Sequence, residues 1–112
     1  MRILIVEDEP TFAKLLMLRI RRHADAAAYV HLTVDWASSI EAARELLAGR
    51  AFDLIISDYH LPDGVGTDLV AEVESATRFR LVSSSAAAAL AAGAVPKRQM
   101  LRVMHEWLDE AA

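Results

Sequence analysis

The sequence contains no cysteine, which excludes a disulfide framework and any thiolate metal site. The same absence fits a reducing compartment, and a cytoplasmic location is expected. No basic start followed by an apolar stretch and a small-residue cleavage site is present, so no signal peptide is expected. The longest unbroken run of small or apolar residues, 86–95, is too short and too alanine-rich to span a bilayer. Positive charge is not in excess either. The formal charge of −4 argues against a nucleic-acid surface. The one local cluster, Arg19, Arg21, Arg22 and His23, reads as a solvated helix C-terminus whose cations suit the helix dipole. A docking spot for an acidic partner is its secondary reading.

What is present is globular. Of the 112 residues, 54% are hydrophobic and 25% charged, enough to bury one core in a single domain covering 1–112. Residues 3–6 (Ile-Leu-Ile-Val) read as a strand buried on both faces. Glu7-Asp8-Glu9-Pro10 ends it, and Pro10 suits a first helical turn. Phe12, Leu15, Leu16, Leu18 and Ile20 then recur at helical spacing, to about Ala24. Residues 29–36 alternate and read as a second strand. Ser38-Ser39-Ile40-Glu41 reads as a capping box opening a helix through Leu47, closed by Gly49. Residues 52–57 are a third, buried strand ending at Asp58, followed by a long turn, 61–66, and a helix over about 67–76. A fourth strand is expected at 79–83, at best a short helix at 86–92, and a stub of a fifth strand at 95–97. A last amphipathic helix, 99–111, places Leu101, Met104, Trp107 and Leu108 inward. Strands alternating with helices through short links imply a mostly parallel sheet covered on both faces.

In such a sheet, ligands bind where loops leave the carboxyl ends of the strands. Those ends carry Glu7 and Asp8, then Asp58, then Ser83, Ser84 and Ser85, then Lys97. Taken singly, each has an ordinary reading. An acidic pair suits a helix start, an Asp before Pro-Asp-Gly forms a turn, serines cap loops, and a lone lysine is a solvated charge. Their joint placement at four successive strand ends is what carries chemistry. Clustered carboxylates repel, and a hard divalent cation such as Mg²⁺ removes that cost. With its charge offset, Asp58 can act as a carboxylate nucleophile toward a phosphoryl group. The lysine and a hydroxyl would stabilise the charge that spreads over the phosphoryl oxygens.

These residues also match a known family. Ile3-Leu4-Ile5-Val6-Glu7-Asp8-Glu9-Pro10 resembles the opening strand and acidic pair of the receiver domain of two-component response regulators. Phe52-Asp53-Leu54-Ile55-Ile56-Ser57-Asp58-Tyr59-His60-Leu61-Pro62-Asp63-Gly64-Val65-Gly66 is similar to that family's phosphoacceptor segment, and this match is highly specific. The resemblance covers nearly the whole chain. It implies a flavodoxin-like (CheY-like) α/β fold, a doubly wound five-stranded parallel sheet of order 2-1-3-4-5. It also implies phosphorylation at Asp58, Mg²⁺ on Glu7, Asp8, Asp58 and the carbonyl of His60, and Lys97 as the family's lysine. Ser83 or Ser84, with Ser85 a third candidate, would supply the switch hydroxyl. The partner implied is a histidine kinase or histidine phosphotransfer protein, and the chain itself a monomer or weak dimer.

The second half departs from the pattern. The interval between the serines and Lys97 is shortened, so the fourth helix is expected to be reduced or absent. Arg98 follows the lysine where the family has proline, and Ala94 stands in place of an aromatic that swings with phosphorylation. The expectation is a stand-alone receiver acting as shuttle, sink or kinase feedback element, not an enzyme beyond self-catalysed phosphotransfer and autodephosphorylation. Two other readings are a phosphorylation-independent docking module and a receiver fragment of a larger signalling protein. A phosphatase-like enzyme is disfavoured, since His60 occupies the place of its second aspartate. Phe12 and Leu15 are candidate partner contacts, with core the expected fate of Leu15.

Overall fold

In a computed structural model of the chain, residues 1–29, 31–84 and 92–112 are described. The apolar runs near residues 3 and 54 form its two central strands, β1 (Arg2–Val6) and β3 (Leu54–Asp58). Successive strand side chains point to opposite faces, so each run feeds two cores at once. Ile3, Ile5, Leu54 and Ile56 face one side and pack with Leu16, Ile20, Met100, Met104, Trp107 and Leu108. Leu4, Val6 and Ile55 face the other and pack with Ile40, Ala43, Phe52, Leu61 and Leu69. Burying each large aliphatic side chain is worth about 1.5–3 kcal/mol.

Among the described residues, three α-helices cover the faces: α1 (Pro10–Ala26), α2 (Ile40–Gly49) and α3 (Lys97–Ala111). The remaining strands are β2 (Thr33–Ala37), the short hairpin β4 (His60–Leu61) and β5 (Gly64–Val65), β6 (Arg78–Ser83) and β7 (Val95–Pro96). The main sheet runs β2-β1-β3-β6-β7 with every pairing parallel. Counting only its own strands in chain order, this is the expected 2-1-3-4-5.

Several boundaries differ from the sequence reading. β2 starts at Thr33 rather than 29, because Tyr29 belongs to the closure of α1. Its N–H bonds Ala24 O at 2.9 Å, after a turn in which Ala28 has φ 59°. The N-cap of α2 is Ser39, one residue later than a capping box through Ser38 and Glu41 requires, and Ser39 Oγ accepts from Ala42 N at 3.1 Å. The helix expected over 67–76 is a 3-10 helix, Gly66–Glu72. Its three-residue repeat brings Gly66 and Leu69 inward and leaves Val70 exposed. α3 begins at Lys97, directly after β7, and its buried face is Met100, Met104, Trp107 and Leu108, with Leu101 only partly buried. Leu15 is not core: it is 38% exposed on α1, while Ala13, Leu16 and Ile20 face the sheet. The expected helix at 86–92, save Ala92, and the candidate Ser85 lie outside the described residues. Among the described residues no helix is long and apolar enough to cross a membrane.

Candidate functional site

The carboxyl ends of β1 and β3 bring the acidic residues together. Glu7 follows β1 and is held by main-chain bonds before its side chain does anything: Glu7 N donates to Ala37 O at 2.9 Å. The Trp36 indole donates to Glu7 O at 2.7 Å. Asp58 closes β3, so it is the last strand residue rather than the first of the loop. One carboxylate oxygen from each of Glu7, Asp8 and Asp58 lies within 4.8 Å of the others, with Glu7 and Asp58 buried and Asp8 exposed.

Lys97 supplies the opposing charge from the first residue of α3. Its Nζ stands 2.5 Å from Glu7 Oε1 and 3.1 Å from Asp58 Oδ2. Nζ also lies 4.6 Å from the centre of the Phe12 ring, a cation–π contact that covers it on the α1 side. Burial alone would lower the Lys97 ammonium, but hydrogen bonds and charge from Glu7 and Asp58 outweigh it and hold it above its ordinary value. Burial pushes the Glu7 carboxyl from 4.5 up to about 7. The bond to Lys97 opposes that rise and the charge of Asp58 adds to it. Two buried carboxylates thus share one ammonium.

The loop after Asp58 is fixed on the other side. Tyr59 N donates to Val82 O and Gly66 N to Tyr59 O, both at 2.8 Å. Gly66 passes so near that a Cβ there would stand 2.3 Å from Asp58 O. Ser83, at the end of β6, is buried one residue beyond Val82, the register partner of Asp58, while Ser84 is exposed in the bend that follows. His60 is an exposed member of β4, two residues past Asp58.

The donor set suits a hard cation. Glu7 Oε1 is buried, and the Lys97 ammonium stands 2.5 Å from it. An all-oxygen cluster of three carboxylates, two of them buried and served by one ammonium, fits Mg²⁺, which takes carboxylates and keeps waters. Glu7, Asp8 and Asp58 would hold it.

Sequence reasoning missed two contributors. Trp36 read only as part of an alternating strand. Asp63 read as a turn former, yet it accepts from Ile40 N at 2.9 Å and Glu41 N at 3.0 Å, capping α2 across the fold. Its place in Pro-Asp-Gly gave the turn, but no local spacing could point to residue 40.

Fold and rim together define an α/β module with an acidic pocket at the carboxyl ends of its parallel strands. The family model of the response regulator receiver domain matches residues 3–103, and the chain belongs to that family. The response regulator protein PilR of Pseudomonas aeruginosa is 41% identical over 71 residues, covering 63% of this chain and 14% of PilR. The match thus reaches only a small part of that relative. The non-phosphorylated HemR receiver domain from Leptospira biflexa is 30% identical with a TM-score of 0.73, over 98% of this chain and 92% of that one. A CheY-like receiver domain from Methylobacillus flagellatus shares the fold, with a TM-score of 0.76 at 20% identity over 99% and 98% of the two chains. Receiver domains bind Mg²⁺ at an acidic pocket and interact with histidine kinases, and the Glu7, Asp8, Asp58 cluster fits such a pocket.

Proposed function

We propose that this chain accepts a phosphoryl group on Asp58 from a phosphohistidine of a histidine kinase or histidine phosphotransfer protein. The observation that carries this reading is the convergence of Asp58, Glu7 and Asp8 with a lysine 3.1 Å from the acceptor carboxylate. A carboxylate oxygen of Asp58 attacks phosphorus, the bond from phosphorus to the imidazole nitrogen breaks, and the leaving imidazole takes up a proton. The product is an aspartyl phosphate. Lys97 draws the equatorial phosphoryl oxygens toward itself and offsets their charge. Ser83, buried next to the register partner of Asp58, is our choice for the hydroxyl that bonds one of those oxygens, ahead of the exposed Ser84. Glu7, Asp8, Asp58 and the His60 carbonyl would hold Mg²⁺, which would supply further positive charge to the phosphoryl oxygens.

The chain's own chemistry ends with loss of the phosphoryl group to water, and no other substrate is turned over. We place it in the cytoplasm as a monomer or weak dimer, as a shuttle, sink or feedback element with no nucleic-acid surface of its own. The test is incubation with a phosphorylated histidine kinase and Mg²⁺, followed by intact mass measurement. Wild type gains one phosphoryl group and Asp58→Asn gains none; equal labelling of both would remove Asp58 from its role.

A further inference from the structure

The hairpin that follows Asp58 is docked on the start of α2. Its tip residue Asp63 gives one carboxylate oxygen to Ile40 N at 2.9 Å and the other to Glu41 N at 3.0 Å. Leu61 is buried in the same cluster as Ile40. A Cβ on Gly64 would stand 2.8 Å from Ile40 Cδ1, so the tip is pressed against the first residue of the helix. Those two N–H groups are among the four that any helix start leaves without intrahelical partners. α2 already has a local cap, since Ser39 Oγ accepts from Ala42 N at 3.1 Å. Asp63 therefore adds something a cap alone does not need: a connection across 23 residues from the acceptor hairpin to a rigid helix.

We infer that Asp63 is a positioning residue, which holds the β4–β5 hairpin at the distance from Glu7 and Asp8 that the metal pocket requires. The hairpin leaves Asp58 with no intervening helix. Its near end is fixed by Tyr59 and its far end by Gly66 N, but its tip is held through Asp63 and the Leu61–Ile40 packing. α2 in turn is joined to the acidic pair, because the strand leading into it carries Trp36 and Ala37, both bonded to the main chain of Glu7. The path Glu7, Trp36–Ala37, α2, Asp63 closes a ring around the pocket. Outer contacts of this kind set metal affinity by aiming the ligands, at about 10–100-fold per residue lost. This inference rests on the Mg²⁺-dependent acceptor reading above.

The two caps of α2 provide their own control. Asp63→Ala and Ser39→Ala each remove side-chain acceptors from one helix start, and each should lower Tm by about 5 °C. Titration with Mg²⁺ alone, followed by calorimetry, separates them. Asp63→Ala is expected to weaken Mg²⁺ about tenfold, Ser39→Ala to leave it unchanged, and Asp63→Asn, which keeps only one of the two acceptor oxygens, to fall between Asp63→Ala and wild type. Equal Mg²⁺ affinities for Asp63→Ala and wild type overturn the inference, as does equal weakening by Ser39→Ala. If wild type is labelled at Asp58 while Asp63→Ala binds Mg²⁺ normally, the positioning role alone fails. Wild type that neither binds Mg²⁺ nor takes a phosphoryl group removes the acceptor reading and this inference together.

Discussion

The indole of Trp36 donates to the main-chain carbonyl of Glu7 over 2.7 Å, joining the end of β2 to the residue whose side chain begins the acidic rim. The bond fixes where the backbone turns out of β1, and so where the Glu7 and Asp8 carboxylates are launched. Replacing Trp36 by Phe keeps most of the ring and removes the donor. We expect about 1 kcal/mol of lost stability in urea unfolding, the usual net worth of such a bond. Mg²⁺ should also change the fluorescence of wild type through Trp36, and that response should vanish in Trp36→Phe. A full response in the variant would place the signal at Trp107 and remove Trp36 from the rim.

The pH dependence of the metal-free protein should be governed by Glu7. Burial lifts its carboxyl from 4.5 to about 7, against the pull of Lys97. Between those values the folded chain keeps a proton that the unfolded chain releases. The stability tied to neutral Glu7 is thus complete below 4.5 and is lost as pH rises through about 7. The loss amounts to up to about 3 kcal/mol. Asp63 works the other way: its bonds from Glu41 N and Ile40 N hold it below its ordinary 3.8, so its contribution fades only in stronger acid. The urea midpoint without Mg²⁺ should therefore fall from about pH 5 to pH 7. Glu7→Gln should flatten that slope, and an unaltered slope would assign the titration elsewhere.

How much of this was legible in the sequence depends on the range of the contact. The runs at residues 3–6 and 52–57 announced central strands because burial on both faces demands a nearly continuous apolar stretch. Asp58 and the acidic pair stood out because their strand ends are fixed once the strands are. Periodicity failed where a contact spans the chain. Tyr29 fits a strand by composition but is used to bond Asp109, 80 residues away. The spacing of Leu15 fits a core face, yet the smaller Ala13 takes the buried place and Leu15 points outward. For 67–76, sequence preference could not separate an α-helix from a 3-10 turn, which is decided by how Gly66 and Leu69 meet the sheet.

Lys97 faces two carboxylates, and the consequence is an asymmetric response to its loss. Lys97→Met leaves Glu7 and Asp58 buried with no cation. Breaking a buried pair costs on the order of 3 kcal/mol, toward the low end because Glu7 can take up a proton. Added Mg²⁺ should stabilise Lys97→Met more than wild type, since the cation replaces the missing charge. On the proposed reading, phosphoryl labelling at Asp58 should still slow by about a hundredfold, because the lysine charge would act at the transition state. A variant as stable as wild type without Mg²⁺ would mean that the Lys97 contacts at 2.5 and 3.1 Å carry no weight.

Gly66 and Gly49 offer a test of how closely the chain is packed around Asp58. A Cβ on Gly66 would meet Asp58 O at 2.3 Å, Ser57 Oγ at 2.8 Å and Leu81 Cδ2 at 3.0 Å. The nearest of these is backbone, which cannot rotate away as a flexible side chain can. The main chain must instead move, taking with it the bond from Gly66 N to Tyr59 O and the strand end that aims Asp58. Gly66→Ala should therefore cost about 2 kcal/mol or more, and it should impair phosphoryl labelling beyond what the stability loss explains. At Gly49, the last residue of α2, a Cβ would find nothing within 4 Å. Gly49→Ala should stabilise by about 0.4–1 kcal/mol, by restricting the unfolded chain, and should leave labelling unchanged. Urea midpoints and labelling rates for the two variants give the comparison. Similar behaviour of both would show that the turn after Asp58 has room to spare and that glycine at 66 is not required by the approach to Asp58.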